Sequence, residues 1–368
     1  MKNCSFAHPV FKKSFLFSIL VLVFILNNFA IAHVYDVMDL GALSENGTSR
    51  AFAINDNHQI VGYTSSGENS IACLFELTGQ SVNITNLGTL EGCSSSLARS
   101  INDDGTIVGW LEYDAFNIRA CTFDKAGSPA LIGSYNYCVA SAINSDGTIV
   151  GKAGNASNAA MAYNFTSSSS LASSNSSAMS INDLGVIVGS VQEGSFYKAY
   201  IFGQEGNLAI GGNASYALSV NNNNQIVGNA NIGAGIIHAF VFDETGGLDN
   251  TDLGALGGTY SSAASINDAG AIVGYAQITN GENRACLFDS SGNGENIDLN
   301  TLINPALGWT LQDALDISND GWIVGVGIHN GVERAFLLKP VPEPATVVIF
   351  AMGISLFASK RKQLNLRR

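Results

Sequence analysis

The chain has 368 residues, 46% of them hydrophobic and 13% charged, with 40 glycines and six prolines, a balance too apolar for a disordered chain. Its formal charge is −13, but eight of the 17 basic residues lie within the first 32 and last 28 positions. Nine basic and 29 acidic residues remain between 33 and 340, a formal charge of −20 that argues against nucleic acid as a partner and leaves cations or neutral glycans.

The first element is a leader. Lys12 and Lys13 precede an apolar run, "FLFSILVLVFIL" from Phe15 to Leu26, and Ala30-Ile31-Ala32 offers a small-x-small cleavage site. This order predicts a secretory signal peptide over 1–32. A first transmembrane anchor is the alternative, and the run is short for the roughly 20 residues that span a bilayer.

From residue 33 onward one phrase keeps returning. "SINDDGTIVGW" begins at Ser100, "SAINSDGTIVGK" at Ser141, "SINDLGVIVGS" at Ser180, "SINDAGAIVGY" at Ser265 and "DISNDGWIVGV" at Asp316. "FAINDNHQIVGY" from Phe52 and "LSVNNNNQIVGN" from Leu218 are looser copies. The closing glycines, Gly62, Gly109, Gly151, Gly189, Gly228, Gly274 and Gly325, are 47, 42, 38, 39, 46 and 51 residues apart. Periods of this length point to a solenoid, a propeller or an array.

Read physically, the phrase is a β-hairpin. Asn55, Asn102, Asn144, Asn182, Asn221 and Asn267, with Ser318 in the last copy, open a four-residue turn whose side chain can bond the backbone that follows. The fourth turn position holds Gly105, Gly147, Gly185, Gly270 and Gly321, where a positive φ is expected. The two other copies place His58 and Asn224 there, residue types that tolerate that conformation better than most. His58 is therefore read as a turn residue, and six equivalent asparagines are read as turn formers, because one active site needs no such set.

A third strand follows each hairpin, at Ile71, Arg119, Met161, Lys198, His238, Arg284 and Arg334, with a small-large-variable-Phe pattern. A fourth lies between units in "YDVMDLGAL" from Tyr35, "VNITNLGTL" from Val82, "NTDLGALGG" from Asn250 and "NIDLNTL" from Asn296, with degraded copies near Ala130, Leu171 and Leu208. The fold class expected is all-β: a repeat protein over 33–340, a seven-bladed β-propeller of four-stranded blades, between an N-terminal signal helix and a C-terminal membrane helix. "DLGALGGTYSSAASINDAGAIVGYA" from Asp252, with His238-Ala239-Phe240, resembles the HAF-repeat family of bacterial extracellular proteins. The resemblance covers roughly 33–340 and rests on the whole repeat, since only one copy keeps the full triplet. It implies a secreted or surface β-repeat protein.

The last 28 residues, 341–368, divide into three parts: Pro342-Glu343-Pro344, an apolar run from Ala345 to Ser359, and the basic cluster Lys360-Arg361-Lys362. Basic flanks stay cytoplasmic, which leaves the body outside. The tail resembles the PEP-CTERM sorting signal of Gram-negative bacteria. The resemblance implies handling of Pro342, Glu343 and Pro344 by an exosortase-like membrane processing enzyme, transient anchoring in the inner membrane, and delivery to the cell surface or extracellular matrix. A plain membrane anchor is the alternative.

Chemistry-bearing motifs are few. Cys73, Cys121 and Cys286 share a strand slot with Phe240, Phe336, Tyr163 and Tyr200, so they read as buried packing thiols. Cys93 and Cys138 precede successive hairpins, and a disulfide between them stays open in an oxidising compartment. His8, His33, His58, His238 and His329 show no metal-ligand spacing, and no nucleophile-elbow, zincin, P-loop or dinucleotide motif is present. Aspartates in "NDDG", "NSDG" and "SNDG" read as turn formers rather than calcium ligands. No catalytic, cofactor or metal residue is predicted. The expected role is a non-catalytic scaffold or adhesin, with a glycan or matrix component as partner. A glycan-binding propeller is the second reading, weakened because Trp110, Trp309 and Trp322 are few and unlike in position. A glycosidase or lyase is the third, and would need ionisable residues converging asymmetrically on one mouth of the fold.

Overall fold

The computed structural model describes residues 34–341, apart from 68, 156–160, 205–207, 209–212 and 246–248. The expected signal helix, the expected membrane helix and Pro342-Glu343-Pro344 lie outside the described residues. Among those described there is no α-helix, only strands and two short 3-10 segments at Leu299–Leu302 and Pro305–Leu307, and no helix long and apolar enough to cross a membrane.

The first repeat shows why the sequence folds as it does. Strands β2 (Thr48–Ile54), β3 (Ile60–Ser66), β4 (Asn69–Thr78) and β5 (Ser81–Asn86) follow β1 (Tyr35–Asp39) and pair antiparallel in the order 2-3-4-5. The same meander recurs, so that the described strands form seven antiparallel units. The degraded fourth strands shrink to Ala130–Leu131 in the second unit and to a backbone bond from Leu208 N–H to the Ala199 carbonyl, 2.9 Å, in the fourth. None of the sheets closes on itself as a barrel; the two largest are pairs of units joined by single parallel contacts, Tyr137 with Ile118 and Tyr260 with Ile237.

The last unit is completed by the first strand. Trp309–Ile317, Ile323–His329 and Val332–Pro340 pair in sequence order, and β1 then adds to Val332–Pro340, with Tyr35 opposite Pro340 and Asp39 opposite Phe336. Residues some 300 apart in sequence thus share one sheet.

The recurring Ile-Val pair explains how units pack. In the first unit Ile60 lies in an apolar cluster with Val324, Ala335 and Leu337 of the last unit, while Val61 lies with Ala98, Ile101 and Ile107 of the second. Ile107 and Val108 divide likewise between the first and third units, and each later pair repeats the division. Seven clusters result, one per junction, including the junction of last with first. Every unit is covered on both faces, so its second strand opens on three consecutive buried residues, Ile-Val-Gly, instead of alternating from the start. Burying one such Ile or Val stabilises by about 1.5–3 kcal/mol, and the gain exists only when neighbours are present.

The closing glycine has a cause that the repeat spacing alone does not show. In every unit the first strand carries a bulge after the small residue opposite this glycine: Ala51/Ala53, Ala98/Ser100, Ala140/Ala142, Ala178/Ser180, Ala217/Ser219, Ala263/Ser265 and Ala314/Asp316. The facing strand is thereby pressed so close that a Cβ on Gly109 would overlap the Leu97 carbonyl oxygen. The other six closing glycines meet the equivalent carbonyl in the same way. Gly serves here for close approach and not for a positive φ. On the third strand, Cys73, Cys121, Cys286 and the aromatics Tyr163, Tyr200, Phe240 and Phe336 pair with these glycines. The three cysteines are fully buried, as a packing slot requires.

Candidate functional site

The turn residues of all seven units meet at one polar cavity of about 220 Å³. Each asparagine acts twice there. Asn102 Oδ1 accepts from Thr106 N–H at 2.8 Å, closing its own turn, while Nδ2 donates to the Asn144 carbonyl at 3.1 Å. Asn55 donates to Asn102 O, Asn144 to Asn182 O, Asn182 to Asn221 O, Asn221 to Asn267 O and Asn267 to Ser318 O, all at 2.9–3.1 Å. All six asparagines are buried. Gly105, Gly147, Gly185, Gly270 and Gly321 have φ of 78–87°, and His58 and Asn224 take the same left-handed conformation at 58° and 62°. The turn reading of these positions holds, and the inter-unit amide bond adds to it.

Ser318 is too short to continue the series. Its Oγ accepts from Trp322 N–H, closing the turn. The passage back to the first unit runs instead through the residue after it: Asn319 N–H and Nδ2 donate to the Asp56 carboxylate at 2.9 and 2.8 Å. This second series also links Asp56 N–H to Asp103, Ser145 N–H to Asp183, Asp183 N–H to Asn222, Asn222 N–H to Asp268 and Asp268 N–H to Asn319.

Acidic residues therefore converge on one mouth: Asp56, Asp103, Asp183 and Asp268. Their placement follows the repeat, and each carboxylate accepts a backbone N–H from a neighbouring unit. At Asp183, burial pushes the carboxyl up, but hydrogen bonds from Ser145 and Asn222 outweigh it and hold the group below the usual carboxylate range. Among the described residues no group of three or more His, Cys, Asp or Glu side chains is placed to hold a metal ion.

Deeper in, a second space of about 100 Å³ is lined by the bulge residue of every unit and the residue after it. The bulge positions are Phe52, Arg99, Ser141, Met179, Leu218, Ala264 and Leu315; the next are Ala53, Ser100, Ala142, Ser180, Ser219, Ser265 and Asp316. A bulge re-aims its side chain, which is how a strand flanked by neighbours reaches this space. Only Arg99 and Asp316 are ionisable in these two tiers. Asp316 accepts from Ile54 N–H at 2.9 Å and from Ser265 Oγ–H at 2.6 Å; burial pushes its carboxyl up against those bonds. Burial pulls the Arg99 guanidinium down, against the pull of Asp316 and Asp313. Burial also pushes Asp313 up to about 7, despite Arg50 and Arg99 nearby, and its Oδ1 is buried without a hydrogen-bond partner. Sequence reading missed these three residues. Their signal was that Arg99 and Asp316 are the odd members of aligned repeat positions.

The remaining candidates scatter. His58 Nε2 lies 2.8 Å from Asp320 Oδ2 and stacks on Trp322 at 3.7 Å; His329 pairs with Asp39 at 2.7 Å and stacks on Trp309; His238 pairs with Asp252 at 2.9 Å. His8 and His33 are outside the described residues. Trp110, Trp309 and Trp322 occupy a second strand, the start of a first strand and a turn, so they form no repeated platform. Cys93 and Cys138 are both free thiols, in different junction clusters. Cys138 instead takes the position where Ser49, Ser96, Ser176, Ser215 and Ser261 accept the N–H of Ala335, Ala72, Ala162, Ala199 and Ala239 from the preceding unit. No protein-family model matches the chain, and no curated protein is similar enough to match it.

Proposed function

We propose that this chain is a non-catalytic seven-bladed β-propeller, displayed at the surface of a Gram-negative cell as a matrix scaffold or adhesin. The observation that carries the reading is the use of the repeated polar residues. The asparagines and the four mouth carboxylates that recur in the repeats hydrogen-bond a neighbouring unit, which is a structural use of these groups. Seven junction cores and the pairing of Tyr35–Asp39 with Val332–Pro340 support the ring closure that a propeller needs. The resemblances to HAF-repeat proteins and to the PEP-CTERM tail supply the export route, through an exosortase-like enzyme acting at Pro342-Glu343-Pro344.

The test is intact mass and fractionation of the protein from its own cells, beside a variant with Pro342, Glu343 and Pro344 changed to Ala. A shortened wild type outside the inner membrane and a full-length, membrane-held variant are the expected result. Full-length protein in the inner membrane for both would replace the sorting reading with a plain anchor.

A glycan-binding propeller is the second reading, favoured by one pocket of about 290 Å³ where Tyr197 and Tyr216 stack 5.9 Å apart beside Lys152 and Ser177. Aromatic faces with nearby hydroxyl and amine donors suit a sugar ring, and a glycan array with a Tyr216→Ala control distinguishes the two.

A further inference from the structure

The inner cavity breaks the sevenfold pattern at two places, and both are charged. Arg99 and Asp316 belong to the second and last units, which flank the first, so they face the cavity from either side of Phe52 and Ala53. The other twelve positions of the two tiers are Ser, Ala, Leu, Met or Phe. A scaffold needs neither charge: Ser219, at the position equivalent to Asp316, accepts from Ile266 N–H much as Asp316 accepts from Ile54.

Arg99 is the stronger clue. Its guanidinium carbon lies over the Phe52 ring, 5.3 Å from the centroid. It makes no salt bridge and donates no hydrogen bond among the described residues. Both Asp316 and Asp313 lie within electrostatic range without touching it. Its five N–H donors are thus left to whatever occupies a small, partly open polar space, water or a ligand, and not to protein acceptors.

We propose that this cavity binds a small zwitterion of the size of an α-amino acid, its carboxylate on Arg99 and its ammonium on Asp316. Size and charge both point there. A space of about 100 Å³ holds several waters or one small solute. It adjoins the outer cavity, since Ser219, Ser265 and Asp316 line both. Any ligand entering from that side passes Asp56, Asp103, Asp183 and Asp268, which disfavour a simple anion, while Arg99 disfavours a simple cation. A molecule bearing both charges satisfies each group in turn, and the hydroxyls of Ser100 and Ser180 supply further hydrogen bonds. The inference concerns the cavity alone and is independent of how the chain is sorted.

The test is isothermal titration calorimetry of the purified chain with glycine, with acetate and methylammonium as half-ligands. Glycine is expected to bind one per chain, with each half-ligand weaker by at least about tenfold. Arg99→Gln and Asp316→Asn are each expected to weaken glycine by about tenfold or more, and Arg99→Lys to retain part of the affinity. Unfolding curves establish that each variant is folded, and Ser100→Ala, expected to weaken binding by about twofold to fivefold, serves if Arg99→Gln does not fold. Absence of glycine binding up to about 10 mM overturns the proposal. So does acetate binding as tightly as glycine, or glycine affinity unchanged in Arg99→Gln.

Discussion

Asn102 and Asn144 are joined by a single amide-to-carbonyl bond of 3.1 Å, buried at the junction of the second and third units. The same Asn102 side chain closes its own turn through Thr106. One residue type thus couples local structure to assembly, and the coupling can be separated experimentally.

Asn144→Ser is expected to keep the turn bond and lose the bond to the Asn182 carbonyl, because Ser318 already closes its turn that way in the last unit. The cost is about 1–2 kcal/mol. Asn144→Ala loses both bonds, at about 2–3 kcal/mol. Denaturant unfolding of the two variants measures the junction and the turn separately; equal losses would show that the turn bond contributes nothing, and an Asn144→Ser variant as stable as the wild type would show the same of the inter-unit bond.

Glycine positions divide by cause. Gly151→Ala puts a methyl group into the Val139 carbonyl and is expected to cost more than about 4 kcal/mol or prevent folding. Gly147→Ala, four residues earlier, meets nothing within 4 Å but must hold a φ of 78°, so about 1–2 kcal/mol is expected. Gly147→Asn should cost less still, since Asn224 occupies the equivalent place. Midpoints of chemical denaturation rank the three.

Asp313 gives stability a pH dependence of its own. Its folded pKa, about 7, stands above the ordinary 3.8, so the folded state holds a proton that the unfolded chain releases. The group costs nothing below pH 3.8, and its ionisation penalty grows as pH rises to 7, reaching about 4 kcal/mol at most above it. Asp313→Asn is expected to lose this decline, so that the variant gains on the wild type between pH 4 and pH 8. Parallel curves for the two proteins would refute the assignment.

Thiol labelling tests the cysteine arrangement. Cys93 is only half-buried and is expected to react in the folded protein. Cys73, its thiol pushed up to about 11 by burial, and Cys121 and Cys286, raised by the same cause, should label only after unfolding. Mass spectrometry should find five reactive thiols between residues 33 and 340 under denaturing conditions. A missing pair would mean that a disulfide had formed.

Closure of the first strand on the last unit can be probed with proline. Leu40 N–H donates to the Ala335 carbonyl, so Met38 N–H, two residues earlier, points the same way while Val37 N–H points outward. Met38→Pro is expected to cost about 2–3 kcal/mol and Val37→Pro clearly less, read as the shift in thermal midpoint. Similar small shifts would mean that this strand adds little to closure.

Much of the repeat was legible because its signals are local. An asparagine, a four-residue turn, a residue tolerant of positive φ and an Ile-Val pair lie within ten residues, and the turn closes with bonds among them. The positions of His58 and Asn224 could be read for the same reason: the conformation of a turn is set by its own few residues. The sequence by itself therefore determined the unit and its number of copies. Tertiary structure decided what depends on contacts between distant segments. The close approach at Gly109 arises from a bulge on the opposite strand, and the completion of the last sheet from Tyr35–Asp39, some 300 residues away. Arg99 and Asp316 are 217 positions apart and line one space only because the seven bulged strands converge on it, a convergence that no local spacing carries.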